Sequence, residues 1–532
     1  MCDQWTFRTH SWLRTGAGIL LFISFLSIAM QAQVANTGSV QGTVSDITGA
    51  LIPGATVILH NIHTGNVIST KSGGQGEYAF LNLAVGEYRL IVERDGFKKH
   101  EHEPFSVHAS ENVRLNMALQ VGSTSERVEV TGAPPVVDTV SASEGNTVTG
   151  AQINNLPLTN RVFTQMVSLG PGVVAPVDER PGFGSNSSVG FSINGVRADE
   201  NNLMIDGVRN VDTFGGNAFV SPNLFAVEEF RIESNDYSAA AGRSAGGQNN
   251  LVSRAGTNAF HGNVFEFFRN EVLNAMAKDE TTKSKERYND FGFDIGGPII
   301  KNKLFFFFSE EWRRIINAGG PNIVWTPTAA ERAGDFSQSR IKLIDPDTGL
   351  PFPNDQIPSN RIDPNATRLL DTYWPQPTPG YVAPDGLRAN YESEAPDYTK
   401  WREDSIRLDY KLTDKLSLYG RYTQDGVLLN NPYGLWGENP FPYVGGSTQN
   451  FPMYNTSFHL IWTPRPNLIT EFTWGMYFAN DKSLKNGPQS SQSRAPGLSL
   501  GEVFPLNEGN RVPTIYLNGD YTGIVEQMVF PQ

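Results

Sequence analysis

Cysteine is almost absent from this sequence of 532 residues. The single cysteine, Cys2, lies in the N-terminal leader and outside any small-residue lipoprotein pattern. The mature chain would therefore contain no disulfide, no thiol nucleophile and no cysteine metal ligand. An exported protein of this kind must be held together by its size, by its topology or by a membrane.

Long hydrophobic runs are also missing. After residue 32 no stretch of about 18 apolar residues occurs, so a membrane span there would have to be made of strands. The one apolar run, Ile19 to Met30, follows Arg8 and Arg14 and precedes Ala32. This run is shorter than the roughly 20 residues that a stable helical anchor needs. We predict a cleaved signal peptide over residues 1–32, with an uncleaved anchor as the alternative.

The sequence also has no excess of positive charge. Its net charge is −13, and no basic patch with interleaved aromatic side chains occurs, which excludes nucleic acid as a partner. Glycine (52 residues), proline (33) and aromatic residues (11%) are plentiful instead. The length is far more than one hydrophobic core can use, so we expect several domains.

Residues 38–120 have the pattern of a small β-sandwich. Short alternating segments, such as those around Val40 and Val57, are separated by turn pairs such as Pro53-Gly54. About seven such strands fit into this region, as in other small sandwiches.

Residues 121–135 connect this region to the next one. A short β-prone run, Arg127 to Thr131, is followed by Pro134-Pro135, which stiffens the chain and ends strand pairing. An isolated extended segment can add as a strand to a partner's sheet. A plain linker, or a last strand of the sandwich, is the alternative.

Residues 136–255 are predicted to form a compact mixed α/β unit. A short helix is expected over Arg161–Ser168, entered through Thr159 or Asn160. Two turn motifs, "INGVR" from Ile193 and "IDGVR" from Ile205, contain the Asn-Gly and Asp-Gly pairs that favour primed hairpin turns.

Residues 256–532 alternate between bulky apolar and polar side chains with a period of two. The clearest case is "NLITEFTWGMYFAND", in which Leu468, Phe472 and Trp474 share one face. This alternation, together with the export signal, favours a transmembrane β-barrel over a large soluble β-protein. Phe305–Phe308 fit this interpretation if one pair faces lipid and the other packs against protein inside the wall.

Several motifs together resemble those of a known family. The stretches "ERVEVTGAPPVVDT", "NNLPLTNRVFTQMVSLGPGV", "SINGVRADENNLMIDGV", "VEEFRI" and "GGQNNLVSRAGTNAFHGNVFEFFRN" are similar, in that order, to the plug and first barrel strands of TonB-dependent outer-membrane receptors. The stretches "ERAGDFS" and "DPDTGLPFPNDQIPSNRIDPNA" resemble the Oar-like branch, in which they belong to a long external loop, here near 314–400. Residues 38–120 resemble carboxypeptidase-regulatory-like domains of transthyretin-like fold.

The resemblance implies a mainly β architecture: a transthyretin-like sandwich in the periplasm, a mixed α/β plug, and an outer-membrane antiparallel barrel. Eight to ten spanning strands can be counted, whereas family members have about 22 and end in an aromatic strand. The sequence is therefore expected to be the N-terminal part of a longer protein with an incomplete barrel.

The resemblance also implies partners and a function. A TonB-type energy-transducing protein would grip an extended segment and displace the plug, so that a substrate is imported. The candidate TonB box is a loose version of the family motif and consists of Glu126, Arg127, Val128, Glu129, Val130 and Thr131. Lipid would surround the barrel, the substrate would be a metal chelate, cobalamin, a glycan or a peptide, and no cofactor is expected. A structural or adhesive surface protein without import is the alternative.

Three motifs suggest enzymatic or metal chemistry but have simpler explanations. "GRSAG" around Ser244 matches a nucleophile elbow, yet an extended segment follows it where a helix is required. "HEHE", His100–Glu103, has zinc-ligand spacing with His108 nearby, but exposed residues that discourage strand pairing are the expected explanation. "DPDTG" from Asp345 resembles a calcium loop without its distal ligands, so an Asx turn is expected. We expect no enzyme and no metal site.

Overall fold

The computed structural model describes most of the chain from residue 36 onward. The described residues are 36–122, 127–130, 144–158, 161–175, 191–211, 218–237, 242, 244–276, 283–318, 321–383, 389–434, 439–465, 468–480, 482–485, 494–501, 512–517 and 522–524. The predicted signal peptide, Thr159 and Asn160 lie outside them. No helix among the described residues is both long and apolar enough to cross a membrane.

The first unit is a sandwich of two sheets. Its strands are β1 (Thr37–Asp46), β2 (Thr56–Asn61), β3 (Val67–Lys71), β4 (Glu77–Ala84), β5 (Gly86–Glu93), β6 (Lys99–His102), β7 (Phe105–Val107), β8 (Asn112–Arg114), β9 (Met117–Leu119) and β10 (Arg127–Val130). One sheet has the order β4-β1-β8 with β9 also on β1, and the other has the order β10-β6-β5-β2-β3 with β7 on β5. Alternate side chains fill the space between the sheets, including Val40, Val57 and Leu90, which are fully buried.

The second unit, here called the central unit, covers residues 144–253. Its elements are β11 (Glu144–Thr149), helix α1 (Gly150–Asn155), a 3₁₀ helix (Phe163–Leu169), β12 (Val173–Val174), β13 (Ser192–Ile193), a 3₁₀ turn (Ala198–Glu200), β14 (Asn202–Ile205), β15 (Val208–Arg209), a 3₁₀ turn (Leu224–Ala226), β16 (Val227–Asn235) and β17 (Gln248–Ser253). Five strands form one sheet in the order β11-β16-β17-β14-β15.

The helices of the central unit differ from the prediction. The expected helix over Arg161–Ser168 is a 3₁₀ helix over Phe163–Leu169, and its N-cap Val162 supplies no side-chain hydrogen bond. Helix α1 was not predicted, although Thr149 and Gln152 form a capping box at its start. One turn of helix carries too few apolar residues for a periodic pattern, so only its cap gives a signal.

The two predicted turns adopt the expected backbone conformation. Asn194-Gly195 and Asp206-Gly207 all have positive φ, as primed turns require. Asp206-Gly207 joins β14 to β15 as a hairpin. Asn194-Gly195 does not make a hairpin, because β13 pairs instead with β12 from an earlier part of the chain.

The third unit is a long antiparallel sheet, here called the wall. Its strands are β18 (His261–Asn270), β19 (Glu286–Ile300), β20 (Leu304–Asn317), β23 (Asp397–Thr413), β24 (Leu416–Asn431), β25 (Ser447–Arg465), β26 (Leu468–Ala479) and β27 (Lys482–Lys485). They pair in the order β18-β19-β20-β23-β24-β25-β26, with β27 also on β25. In the described residues the sheet does not close into a barrel.

The two faces of the wall differ as predicted. In β20, Phe305 and Phe307 are 5% and 2% exposed, whereas Phe306 and Phe308 lie half-buried on the other face. The outer face holds further large apolar side chains that are 37–52% exposed, namely Phe291, Ile295, Ile406, Leu408, Phe472 and Trp474. The inner face carries most of the polar and charged residues and contacts the central unit.

Short turns join the strands at one end of the wall and long segments join them at the other. The segment between β20 and β23 was predicted to be mostly loop from 314 to 400, but β20 continues to Asn317 and β23 starts at Asp397. Between them lie β21 (Asn322–Val324), α2 (Ala329–Arg332), 3₁₀ turns (Pro353–Asp355 and Ser359–Arg361), α3 (Pro364–Tyr373) and β22 (Tyr391–Ser393). Tyr373 and Trp374 of this segment share an apolar cluster with Phe441, Leu498 and Ile524 from later parts of the chain, which gives the segment a core outside the wall.

Candidate functional site

The contact between the central unit and the inner face of the wall is the most extensive candidate site. A single apolar cluster joins residues of the central unit, such as Phe163 and Phe230, to Trp401, Val427 and Phe451 of the wall. The central unit therefore shares its hydrophobic core with the wall.

A buried ionic cluster around Asp206, here called the aspartate cluster, lies in this contact. Asp206 is fully buried at the tip of the β14–β15 hairpin. Its carboxylate accepts a hydrogen bond from Arg421 Nε at 2.6 Å and lies 3.8 Å from Arg407 Nη1. It also accepts hydrogen bonds from the Ser253 amide and hydroxyl at 2.9 and 2.7 Å.

These contacts keep Asp206 ionised. Burial acts to raise the pKa of Asp206, but the Arg421 and Arg407 guanidinium groups and the Ser253 amide outweigh it, so the pKa is lowered below its ordinary value. Asn455 completes the cluster, because its side chain accepts a hydrogen bond from Arg421 at 2.6 Å and donates one to the Arg209 carbonyl at 3.1 Å. The hairpin tip is thus fixed to the wall by charge and by hydrogen bonds.

A second ionic contact lies nearer the long-loop end. Arg161 of the central unit lies 3.6 Å from Asp290 and stacks over the Phe267 ring at 3.7 Å. Arg313 of the wall donates a hydrogen bond to the Arg161 carbonyl at 3.1 Å and stacks over Trp401 at 3.8 Å. Burial lowers the pKa of Arg161, although Asp290 acts to raise it.

The sandwich docks at the short-turn end of the wall. His108 Nδ1 and the Ala109 amide contact the buried Glu229 carboxylate of the central unit at 2.6 and 2.7 Å. Asn36 accepts a hydrogen bond from Asn250 at 2.6 Å, and Asn66 accepts one from Lys411 at 2.6 Å. A cavity of about 290 Å³ remains between the three units.

The His108–Glu229 contact makes this docking dependent on pH. The hydrogen bond to Glu229 raises the pKa of His108, and Glu111 adds to this, while burial and Arg231 oppose it. A histidine with a raised pKa in the docked state binds its proton more tightly there. The contribution of His108 to docking is therefore complete at a pH below the ordinary histidine pKa. It is lost as the pH rises through the raised pKa that His108 has in the docked state.

We expect docking to weaken by about 1 kcal/mol between about pH 5 and about pH 8. The measurement is hydrogen exchange of the Ala109 amide, corrected for the intrinsic pH dependence of exchange. His108→Gln should remove the pH dependence. His63→Gln is the control, because His63 pairs with Glu87 on the sandwich surface; an unchanged pH dependence in H108Q would contradict the assignment.

The candidate TonB box is partly described. Glu126 and Thr131 lie outside the described residues, while Arg127–Val130 form β10. This strand pairs in parallel with β6, with Val128 opposite His100 and Val130 opposite His102. The sequence left a plain linker and a last strand of the sandwich as alternatives to a partner-binding segment. In the structure this segment pairs with the sandwich. Among the described strands β10 is the edge of its sheet.

The "HEHE" interpretation is corrected. His100, Glu101 and His102 are 7–8% exposed and lie between β5 and β10, so they are not exposed edge residues. Their strand gains a neighbour from a segment that follows it by about 25 residues, which local pattern does not reveal. His108 contacts Glu229 instead of joining these histidines.

The other two motifs have structural explanations. The Ser244 hydroxyl lies 2.9 Å from both the Glu200 and the Gly247 carbonyl oxygens, in a loop before β17, and donates its one proton to either of them. Asp345 accepts the Asp347 amide in an Asx turn, and Arg361 binds the Asp345 carboxylate at 2.7 and 2.9 Å. In the described part of the chain, no group of three or more His, Cys, Asp or Glu side chains is arranged to hold a metal ion.

Sequence reasoning missed the role of Asp206, Arg407 and Arg421. The "IDGVR" motif was assigned only a turn, and the two arginines lie on the polar half of alternating strand residues. A signal exists, because an arginine on the inner half of an alternating strand needs a buried partner. The sequence does not say which of the 55 acidic residues supplies it.

A sheet with an apolar outer face and a folded unit fixed to its polar inner face defines an outer-membrane β-barrel protein with an internal plug. Residues 252–531 match the family model of an outer membrane beta barrel domain, and residues 39–120 match a carboxypeptidase regulatory-like domain. The first match covers more than half of the chain, so the chain belongs to this outer-membrane β-barrel family.

The chain is similar to several individual proteins. The TonB-dependent transporter Oar of Myxococcus xanthus, a transporter and not an enzyme, is 31% identical over 298 residues, which are 52% of this chain and 27% of that protein. The chain thus spans about a quarter of that relative's length. The outer-membrane transporter YddB from Escherichia coli has a TM-score of 0.42 at 11% identity and covers 64% of this chain and 39% of its own. The siderophore receptor PirA from Acinetobacter baumannii has a TM-score of 0.34 at 14% identity, with 65% and 46% covered.

Proposed function

We propose that this chain is the plug-bearing part of a TonB-dependent outer-membrane receptor that imports a substrate by displacement of the central unit. The observation that carries the proposal is the fixing of the central unit inside the wall by a shared apolar core and by the aspartate cluster. A unit held in this way would be released when its buried ion pairs are broken and its apolar contacts with the wall are separated.

The proposal assigns a place in the membrane to each end of the wall. The short-turn end and the docked sandwich would face the periplasm, and the long-loop end would face outward, as in other barrels of this kind. The exposed apolar face would contact lipid. The substrate class stays open among metal chelates, cobalamin, glycans and peptides, because selectivity depends on lumen and loop side chains rather than on a motif.

Energy would enter through the candidate TonB box. Because β10 is the edge of its sheet in the described residues, a strand of a TonB-type energy-transducing protein could add beside it by main-chain hydrogen bonds. Among the described elements β11 of the central unit follows β10 in the chain, so a pull on β10 would be transmitted towards the central unit. For β10 to move, either its hydrogen bonds to β6 would have to break or the sandwich would have to move with it.

The test is binding of a peptide spanning residues 125–132 to the periplasmic domain of a TonB-type protein. We expect Val128→Pro to weaken binding at least about tenfold, because proline removes one ladder hydrogen bond and cannot sit within a paired strand. Val128→Thr keeps the backbone amide and the β-branch and should bind like the native peptide. Binding that is absent, or that is equal for V128P, would favour a surface protein without import.

A further inference from the structure

Three carboxylates lie side by side on the inner face of the wall, nearer the long-loop end than the aspartate cluster. Glu311 of β20 is directly opposite Glu403 of β23, which is directly opposite Asp425 of β24. Directly opposite residues in antiparallel strands have Cβ atoms about 4.5–5.5 Å apart. The three residues are 4%, 1% and 1% exposed, so this carboxylate row is shielded from water.

The carboxylate row has fewer partners than its charge requires. Glu311 is paired with Arg313. Neither oxygen of Glu403 has a hydrogen-bond partner among the described residues. Asp425 interacts with the Trp401 side chain and accepts the backbone amide of Ser221 at 2.7 Å.

The central unit covers the row with a further polar group. Ser221 is 4% exposed, and its hydroxyl has no hydrogen-bond partner in the described part of the chain. Because its backbone amide is bonded to Asp425, this hydroxyl lies beside the row. Unsatisfied polar atoms therefore occur on both sides of the contact between wall and central unit.

The surrounding charges do not balance the row. The charged groups around Glu403 and Asp425 are Glu311 and Arg313 of β20 and Asp404 of β23. Asp290 of β19 and Arg161 of the central unit lie one step further away, paired with Arg313 and with each other. Arg313 is already shared between Glu311 and Asp290. A buried carboxylate without a partner is strongly unfavourable, whereas a protonated carboxyl can donate a hydrogen bond to a neighbouring carboxylate.

We propose that Glu403 and Asp425 hold one proton between them while the central unit is seated against the wall, and that this proton is released to water when the unit leaves. The proton passes from a carboxyl oxygen to a water molecule of the hydrated lumen, which leaves two ionised carboxylates. The carboxylate row is thus a proton-binding site that is linked to the position of the central unit. The inference rests on the proposed function only in that the unit can leave the wall.

The sign of the linkage follows from which state binds the proton. The seated state holds a proton that the released state gives up, so seating is favoured at low pH and weakens as the pH rises. One linked proton changes the seating equilibrium by up to about tenfold per pH unit. The unit would therefore be released more easily on the alkaline side.

The experiment is native-state hydrogen exchange of β16 and β17 in the whole chain in lipid, across a pH series and with correction for intrinsic exchange. All variants, including the one called wild type here, carry His108→Gln, because His108 would otherwise add its own pH dependence through Glu229 of β16. No transducing protein is needed, so failure here is distinguishable from failure of the proposed function. In wild type the opening of β16 and β17 should increase several-fold for each unit that the pH rises. In Glu403→Gln the opening should not depend on pH, and it should be smaller than in wild type at alkaline pH. Glu310→Gln is the control, because Glu310 is the sequence neighbour of Glu311 on the opposite face, paired with Arg402.

A second measurement guards against a variant that fails to fold. Infrared spectroscopy of wild type should show the C=O stretching band of a protonated carboxyl that is lost in E403Q and kept in E310Q. A wild-type profile without pH dependence, an E403Q profile that keeps the wild-type slope, or a spectrum without this band in the seated state would each overturn the proposal.

Discussion

Replacing Asp206 with alanine is expected to destabilise the seating of the central unit by about 3–5 kcal/mol, the usual cost of leaving a buried charge without its partner. The charge in question is Arg421, since Arg407 keeps its pairing with Asp409. Arg421 is 1% exposed and Arg407 is 7% exposed, so neither can turn to water once the carboxylate is gone. The Ser253 amide and hydroxyl would lose their acceptor as well. The measurement is the free energy of opening of β14 and β17 by hydrogen exchange under mild urea.

Asp199→Ala is the matched control for this experiment. Asp199 belongs to the same unit and pairs with an arginine, Arg197, but that arginine is 80% exposed in its side chain. An exposed pair contributes little, so the expected change is below about 1 kcal/mol. If D206A and D199A were equally stable, the aspartate cluster would not be what holds the central unit in place.

The size of this effect matters for the proposed mechanism. Arg421 and Asp206 are 215 residues apart in the chain and come from different units, so their bond must break whenever the central unit leaves the wall. A pull on β10 has to supply at least the free energy stored in this contact. D206A should therefore lower the force that is needed to release the unit.

The second large effect is expected from Gly42→Ala in the sandwich. A Cβ at this position would overlap the Leu115 carbonyl oxygen and lie 3.0 Å from the Tyr78 hydroxyl. The Tyr78 hydroxyl donates to that same carbonyl at 2.6 Å, so the backbone around Leu115 cannot move away without losing a buried hydrogen bond. We expect a loss of about 3 kcal/mol or more in the free energy of unfolding of the sandwich.

Gly74→Ala tests whether this loss is specific to the close contact. A Cβ on Gly74 meets nothing within 4 Å, so the substitution should leave the stability within about 0.5 kcal/mol. Urea unfolding, followed by hydrogen exchange of peptides from β1 and β4, measures the free energy of unfolding of the sandwich in both variants. A small effect for G42A would mean that the two backbones are not in contact in solution.

Unfolding of the sandwich has a consequence for coupling. β10 pairs with β6 in the described structure, so a chain with a disrupted sandwich would leave the candidate TonB box without this neighbour. If the pairing restrains β10, the Gly42→Ala chain should bind the transducing domain more tightly than wild type.

Features with a local cause could be predicted. The period of two in the wall strands depends only on successive residues, so the division of Phe305–Phe308 between two faces of one strand follows from the sequence alone. The positive φ at Asn194-Gly195 and Asp206-Gly207 likewise follows from the residue types. Helix α1 was missed because one turn carries no periodic pattern.

Features that depend on partners far apart in the chain were settled only by the folded chain. The alternation of residues along β23 and β24 puts Arg407 and Arg421 on the polar face of these strands. Their partner is Asp206 only because the β14–β15 hairpin lies against this part of the wall in the folded chain. The burial of His100 and His102 depends on a parallel strand that arrives from the next segment. The two-residue alternation of strands and the residue types of turns are local properties, so they can be read from the sequence. The position of one unit against another and the pairing of buried charges depend on distant residues, so they are decided only when the chain has folded.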